Sequence, residues 1–495
     1  MRSRRLLYNT VSSLIFQITT IICGFILPRL VLQHFGSEVN GLVKSVNQFL
    51  GIIAFLELGV GAVVQSSLYK PLATKNNEAI SKIIASGEKF FKKLAHILLV
   101  YIFVLICIYP YIANQNFGWV YTATLIATIS ISLFSQYYFG VVDRLLLTAD
   151  QRGYIHYTTQ TITLLINTVA CVLLIKIFPS IHIVKLTTSL IYLFRPIFLR
   201  WYVNKHYDIN RKTSYTQEPI KQKWNGVAQH VAAVVLDGTD NIVLTIFSTL
   251  SNVSIYSVYH LVIFGVKQLF MSMTNGMQAL IGELWAKQES DNLLKTFGWF
   301  EWLIHTLAVF VFGCTGVLII PFVQVYTLGI TDANYVQPLF AIIITIAHAG
   351  HCLRLPYSIM ILAAGHYKQT QNFYIIAAII NIVVSVITVN IWGLVGVALG
   401  TLAAMSFHTI WMSLYTSKYL IKWPFKNFIK QIIVDAITVF IGVGLSSFIP
   451  LQPTSYISWL VCAIEVALVW IVTLLLINMI LYRKELLKLI YKCRL

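Results

Sequence analysis

Apolar runs of about twenty residues, cut by short polar breaks, recur along the whole chain. They fall at 8–32, 42–68, 94–113, 119–142, 154–178, 181–203 and 226–247, then at 254–281, 296–320, 334–358, 372–392, 394–417, 431–449 and 456–482. A helix rising 1.5 Å per residue needs about 20 apolar residues to cross a bilayer. The pattern therefore predicts about fourteen transmembrane helices. A barrel would show alternating strands of about ten residues instead, and none are visible. The fold class expected is all-α and polytopic. In the polar break 69–93, Ile80, Ile83 and Ile84 recur at helical spacing, which predicts a short helix lying on the membrane surface or an ordinary solvated loop.

Composition agrees with the pattern: 58% of 495 residues are hydrophobic and only 11% are charged. The net charge of +18 would suggest nucleic acid in a soluble chain, but here its distribution supplies the cause. Lys and Arg collect at the N-terminal tip and in 70–93, 144–152, 195–223, 287–295, 418–430 and 483–494, while the breaks between these carry none. Positive charge stays on the cytoplasmic side, so both termini are expected in the cytoplasm, with an even number of spans and no nucleic-acid partner. The first run is followed by no small-x-small cleavage site. The seven cysteines stand singly and form no CxxC, as packing residues do.

The chain repeats itself. The segment 166–188 aligns without gaps on 380–402 at an offset of 214, so that Asn167 meets Asn381, Ile177 meets Ile391 and Thr187 meets Thr401. The stretch 26–42 matches 241–257 in pattern. Six spans separate equivalent points, so the copies share one orientation, as parallel repeats do. The organisation expected is an N-lobe over 1–210 (spans 1–6), a C-lobe over 211–425 (spans 7–12), and two additional spans with a basic tail over 426–495.

Several motifs follow one another in order: Pro28-Arg29, FGSEVNGL at 35–42, QFLGIIAFLELGVGAVVQSSLYKPL at 48–72, TDN at 239–241, AAG at 363–365 and NIWGLVGVALGT at 390–401. In this order the chain resembles the polysaccharide (O-antigen or capsule) repeat-unit flippases of the multidrug/oligosaccharidyl-lipid/polysaccharide superfamily, from residue 1 to about 482. The resemblance implies two parallel six-helix lobes and movement of undecaprenyl-pyrophosphate-linked oligosaccharide from the cytoplasmic to the outer leaflet of a bacterial plasma membrane by alternating access. It also implies association with membrane lipids and with the polymerase and glycosyltransferases of the same pathway.

Ionisable residues inside spans are costly and mark functional candidates. Arg29, near the end of the first span, suits pyrophosphate because a guanidinium grips phosphate oxygens in a planar fork; the bland alternative is snorkelling to headgroups. Lys44, across the first turn, has the same two readings. Lys267 lies in mid-span, within VIFGVKQLF, far from either interface. Glu57, Asp237 and Asp240 are the candidates for coupling to a proton or sodium gradient, or for a gate. Asp237 and Asp240, three apart, share a helical face. The repeat places the counterpart of Arg29 at about Asn241, so Arg29 and Asp240 are a candidate outer gate pair. Arg195, Arg200 and Arg354 read as cytoplasmic anchors. His348, His351 and Cys352 occupy one turn of one helix with no second cluster, so no metal site is expected, and no cofactor is implied. Gly396-x-x-x-Gly400 predicts close helix packing.

No GxxxxGK[ST] occurs, which excludes an ATPase site of that type. There is no nucleophile–base constellation and no sizeable loop domain, which argues against a membrane polymerase or glycosyltransferase. The alternatives left are a multidrug–cation antiporter on the same fold and a flippase for a peptidoglycan or teichoic precursor.

Overall fold

A computed structural model describes residues 2–113, 117–220 and 227–486; at some helical positions, Gly59 and Asp237 among them, only the backbone is described. Apart from connecting loops such as 207–220 and 327–337, these residues are helical, and twelve helices among them are long and apolar enough to cross a membrane. This is a multi-pass membrane protein. The count is close to the fourteen apolar runs. The first helix, α1 (Arg2–Gly51), joins two of the runs across a break at Gly36, whose φ of 82° and ψ of 175° are not helical. Positive φ costs glycine nothing, and the polar turn anticipated there is where the chain reverses.

The chain forms two compact units. The first is Met1–Val234 with Thr249–Ser254, and the second is Val235–Ser248 with Ile255–Leu495. In the first, α1 is followed by α2 (Ala54–Thr74), α3 (Asn77–Ile112), α4 (Trp119–Ser135), α5 (Val141–Ala149), α6 (Gly153–Ile177) and α7 (Ile181–His206). Helix α1 packs on α6, α4 on α7, and α6 on α7. A π-helical turn, Gln136–Gly140, joins α4 to α5. There Gly140 allows a close approach: a Cβ at that position would stand 2.7 Å from the Pro196 side chain on α7.

Helix α3 corrects one expectation. It runs unbroken through the basic segment, capped by Asn76, whose side chain accepts from the Ala79 amide at 2.9 Å. Ile80, Ile83 and Ile84 are buried within the unit rather than laid on a membrane surface. The segment after α7 is docked as well. Arg211 pairs with Asp143 Oδ1 at 2.7 Å and with Glu88, and the Asn210 amide donates to Ser81 Oγ at 3.1 Å. Arg200, expected to be an anchor, joins the same network through Glu88 at 2.8 Å.

The second unit takes in most of α8 (Val227–Phe247) and of α9 (Leu250–Ala286). It continues with α10 (Ser290–Tyr326), α11 (Pro338–Leu353), α12 (Leu355–Ala363), α13 (Tyr367–Trp392), α14 (Leu394–Tyr415), α15 (Phe425–Ser446) and α16 (Tyr456–Leu481). The hairpin α13–α14 is its tightest packing. Gly393, at φ 54°, turns the chain between the two helices. A Cβ on Gly396 would meet Thr388 O at 2.3 Å, and one on Gly400 would meet Ser385 Oγ at 2.0 Å. The small-xxx-small pair thus lies at the seam, as its spacing predicts. The last two helices pack on α10: Trp470 of α16 fills the space left by Gly313 and Gly442 and donates its indole N–H to Ser446 Oγ at 3.1 Å. Their outer faces are apolar and bare, with Phe440 83% and Phe448 84% exposed. Lipid, not water, is the solvent that makes such a surface stable.

Candidate functional site

The ionisable side chains within the helices fall into separate groups. In the first unit, Arg29 is half-buried on α1, seven residues before the Gly36 reversal, which is about two helical turns. Lys44 is half-buried on the arm after the reversal and lies within electrostatic reach of Lys185 on α7. Glu57 on α2 is buried and ion-paired with Arg144 of α5. Tyr137, from the π-helical turn, stands beside the same carboxylate.

Inside this unit is a cavity of about 260 Å³. Its wall carries Arg144, Lys185, Arg195 and His156, and no carboxylate among the described residues. Arg195, one of the expected anchors, points its Nε at Thr163 Oγ1 (2.7 Å) and stacks over the Tyr192 ring at 3.7 Å. None of these wall residues was selected from the sequence as a binding residue. Arg195 and Arg144 sit in segments that the positive-inside rule already explains, and Lys185 lies one turn from the end of an apolar run. The signal that was available is the turn-by-turn recurrence of Lys185, Thr188, Ser189, Tyr192 and Arg195 on α7, a polar stripe on an otherwise apolar helix.

In the second unit, Lys267 on α9 is buried at 5% exposure. It shares electrostatic range of His351 and Cys352 with Arg354. Arg354 itself is buried at 6% exposure, with its guanidinium on His408 of α14 and on His351 Nδ1 at 3.0 Å. It is therefore a core residue of the unit rather than a headgroup anchor. Of the residues that resemble metal ligands in the sequence, His351 is here a partner of an arginine. No group of three or more His, Cys, Asp or Glu side chains able to hold a metal occurs among the described residues.

Asp240 on α8 is buried and accepts from Tyr256 OH and from Thr401 Oγ1, both at 2.8 Å. Thr401 in turn receives Asn381 Nδ2 at 3.2 Å, and Thr239 Oγ1 donates to Asn381 Oδ1 at 2.6 Å. Hydroxyls from α9 and α14 thus meet at one carboxylate of α8, and Asn381 of α13 extends the chain of hydrogen bonds, an arrangement that can hold or release a proton. The repeat is legible here: Asn167, the equivalent of Asn381, lies buried in the corresponding hairpin of the first unit, with its Nδ2 on Tyr192 OH at 3.3 Å. The Asp237 side chain lies outside the described residues.

A further buried group is built on Glu301 and His305, which the sequence did not single out. Glu301 on α10 accepts from the Tyr357 hydroxyl and from Trp423 Nε1 (2.8 Å), and His305 one turn on pairs through Nδ1 with Asp435 of α15 at 2.5 Å. These contacts tie α15 to α10.

No family model matches the sequence, and no curated protein matches it. Solved structures do match. The lipid II flippase MurJ, in an inward closed conformation, superposes with a TM-score of 0.72 at 15% identity, covering 97% of this chain and 100% of that one. The MATE multidrug transporter DinF-BH gives 0.60 at 12% identity, covering 84% of this chain and 95% of that one. An inward-facing multidrug resistance MATE family transporter of the MOP superfamily gives 0.59 at 13%, covering 81% and 94%. At such identities the likeness is one of fold, and the fold of this chain is that shared by MurJ and the MATE transporters.

Proposed function

We propose that the chain is a flippase that carries undecaprenyl-pyrophosphate-linked oligosaccharide from the cytoplasmic to the outer leaflet of a bacterial plasma membrane, by alternating access, for capsule or O-antigen-type export. The observation that carries this reading is the burial of Lys267 in a membrane-length helix. Basic groups at such depth are functional candidates in a membrane protein, and a diphosphate headgroup is a cargo whose charge they complement. A lipid II flippase with the same fold over its full length gives the reading a precedent for flipping on this fold.

Arg29, Lys44 and Lys267 are assigned to the pyrophosphate. Asp240 is assigned to coupling with a proton or sodium ion, its carboxylate oriented by Tyr256 and Thr401 of its own unit. Glu57 and Asp237 are the other coupling candidates. A multidrug–cation antiporter would need acid-dominated walls, whereas the cavity of the first unit carries none among the described residues.

Translocation of lipid-linked oligosaccharide in sealed proteoliposomes tests the proposal. Lys267→Glu should abolish it, because like charge near a diphosphate at an effective dielectric near 20 costs several kcal/mol. Asp240→Asn should remove any response to an imposed proton or sodium gradient. Full activity of Lys267→Glu, or a strict ATP requirement by the purified chain, refutes the assignment.

A further inference from the structure

The cavity of the first unit has a wall chemistry that a diphosphate does not explain. Its two guanidiniums are already engaged, Arg144 by Glu57 and Arg195 by Thr163 and the Tyr192 ring. Lys185 is different: its ammonium has no hydrogen-bond or ion-pair partner among the described residues, and the nearby charge of Lys44 has the same sign. His156 Nδ1 is likewise buried on this wall without a hydrogen-bond partner among the described residues. The ammonium calls for an acceptor, and the imidazole nitrogen for a polar partner of either kind. The rest of the wall is uncharged: the amides of Asn47, Gln136 and Gln160 and the hydroxyls of Ser132, Thr188 and Ser189 are set among aliphatic side chains such as Leu50, Leu133 and Leu199. Tyr192 adds an aromatic face. Amides, hydroxyls and one ring are what a sugar needs for its own hydroxyls and its apolar face.

Size and charge narrow the ligand. A volume of about 260 Å³ lies just below the usual range of about 300–1,000 Å³ for small-molecule sites, which suits one sugar ring and not a whole repeat unit. The single point charge of an ammonium matches one carboxylate. A phosphate, by contrast, is best held by converging guanidinium forks, and those of this wall are occupied.

We propose that this cavity binds an acidic sugar, a ring bearing a carboxylate, with Lys185 contacting the anion. This rests on the flippase reading for the origin of the sugar, as a component of the carried glycan, but the binding itself does not depend on it.

The test uses the full chain in lipid nanodiscs and equilibrium binding of methyl glucuronide and methyl glucoside, which differ only at the carboxylate, with inorganic pyrophosphate as competitor. The glucuronide is expected to bind at least about tenfold tighter than the glucoside, the size of one charge-assisted hydrogen bond. Lys185→Met should erase that difference and Lys185→Arg should restore most of it. The comparison of the two glycosides on the unaltered chain stands even if Lys185→Met does not fold. Equal binding of the two glycosides overturns the proposal. So does pyrophosphate binding that displaces the glucuronide and is lost in Lys185→Met, because the cavity is then a phosphate site. A chain that translocates lipid-linked glycan without distinguishing the glycosides refutes this inference alone. One that distinguishes them without translocating anything refutes the flippase reading alone.

Discussion

Glu57 and Arg144 form an ion pair within the first unit, with the Glu57 side chain 11% and the Arg144 side chain 27% exposed. Replacing Glu57 by Gln keeps the shape and removes the charge, leaving the guanidinium in a low-dielectric setting. At a separation of about 3 Å and an effective dielectric near 20, the gross Coulomb term is about 5 kcal/mol. Breaking a fully buried pair costs about 3–5 kcal/mol and breaking an exposed one about 0–1. Arg144 is more than a quarter exposed, so the expected loss lies between these limits, at about 2–3 kcal/mol. The assay is unfolding in mixed micelles followed by circular dichroism, with Glu57→Gln, Arg144→Gln and the double variant forming a cycle. The double variant should be more stable than the two single losses add up to, by about 1–2 kcal/mol, because it leaves neither charge stranded. Strict additivity, or single losses below about 0.5 kcal/mol, would show that water and other groups already satisfy both charges, and the argument from burial would be wrong.

Two further perturbations follow from the packing and from the charge network. Gly396→Ala should destabilise the second unit by about 1–3 kcal/mol, since its Cβ would meet the Thr388 backbone at 2.3 Å, whereas Gly444→Ala, with nothing within 4 Å, should gain about 0.4–1 kcal/mol; equal thermal shifts in the two variants would refute the seam. Burial, and then the hydrogen bond it donates to Asp150 Oδ2 (2.6 Å), raise the Tyr207 hydroxyl pKa above that of a free tyrosine. A raised folded pKa gives stability that is present below the unfolded value of about 10 and is lost as pH rises beyond it, so unfolding scans from pH 8 to 11 should show an alkaline loss that Tyr207→Phe lacks; a parallel loss in both proteins would contradict this.

The order of helices was legible in the sequence because a bilayer imposes one rule on every span: about twenty apolar residues, whatever the neighbours are. The polar break after the first run could be read as a turn, and Gly396 and Gly400 as a seam, since a glycine acts through its own missing side chain. Asn167 and Asn381, paired by the repeat, lie in α6 and α13, but their partners differ, Tyr192 for one and Thr401 for the other. Which polar groups meet was not legible. Lys185, Arg195 and Arg144 come from α7 and α5, and only the packing of those helices beside the π-helical turn Gln136–Gly140 opens a cavity among them. Arg354 and Arg200 read as anchors because the positive-inside rule depends on sequence position alone, yet one is buried on two histidines and the other on Glu88. Ile80, Ile83 and Ile84 showed an apolar face, but a hydrophobic stripe does not name its partner: lipid headgroups and the interior of a helical unit are equally good solvents for it. Hydrophobicity is a property each residue carries along the chain, so the sequence alone determined spans, turns and the repeat. Charge pairing depends on which helices lie side by side, and only the tertiary structure decided that.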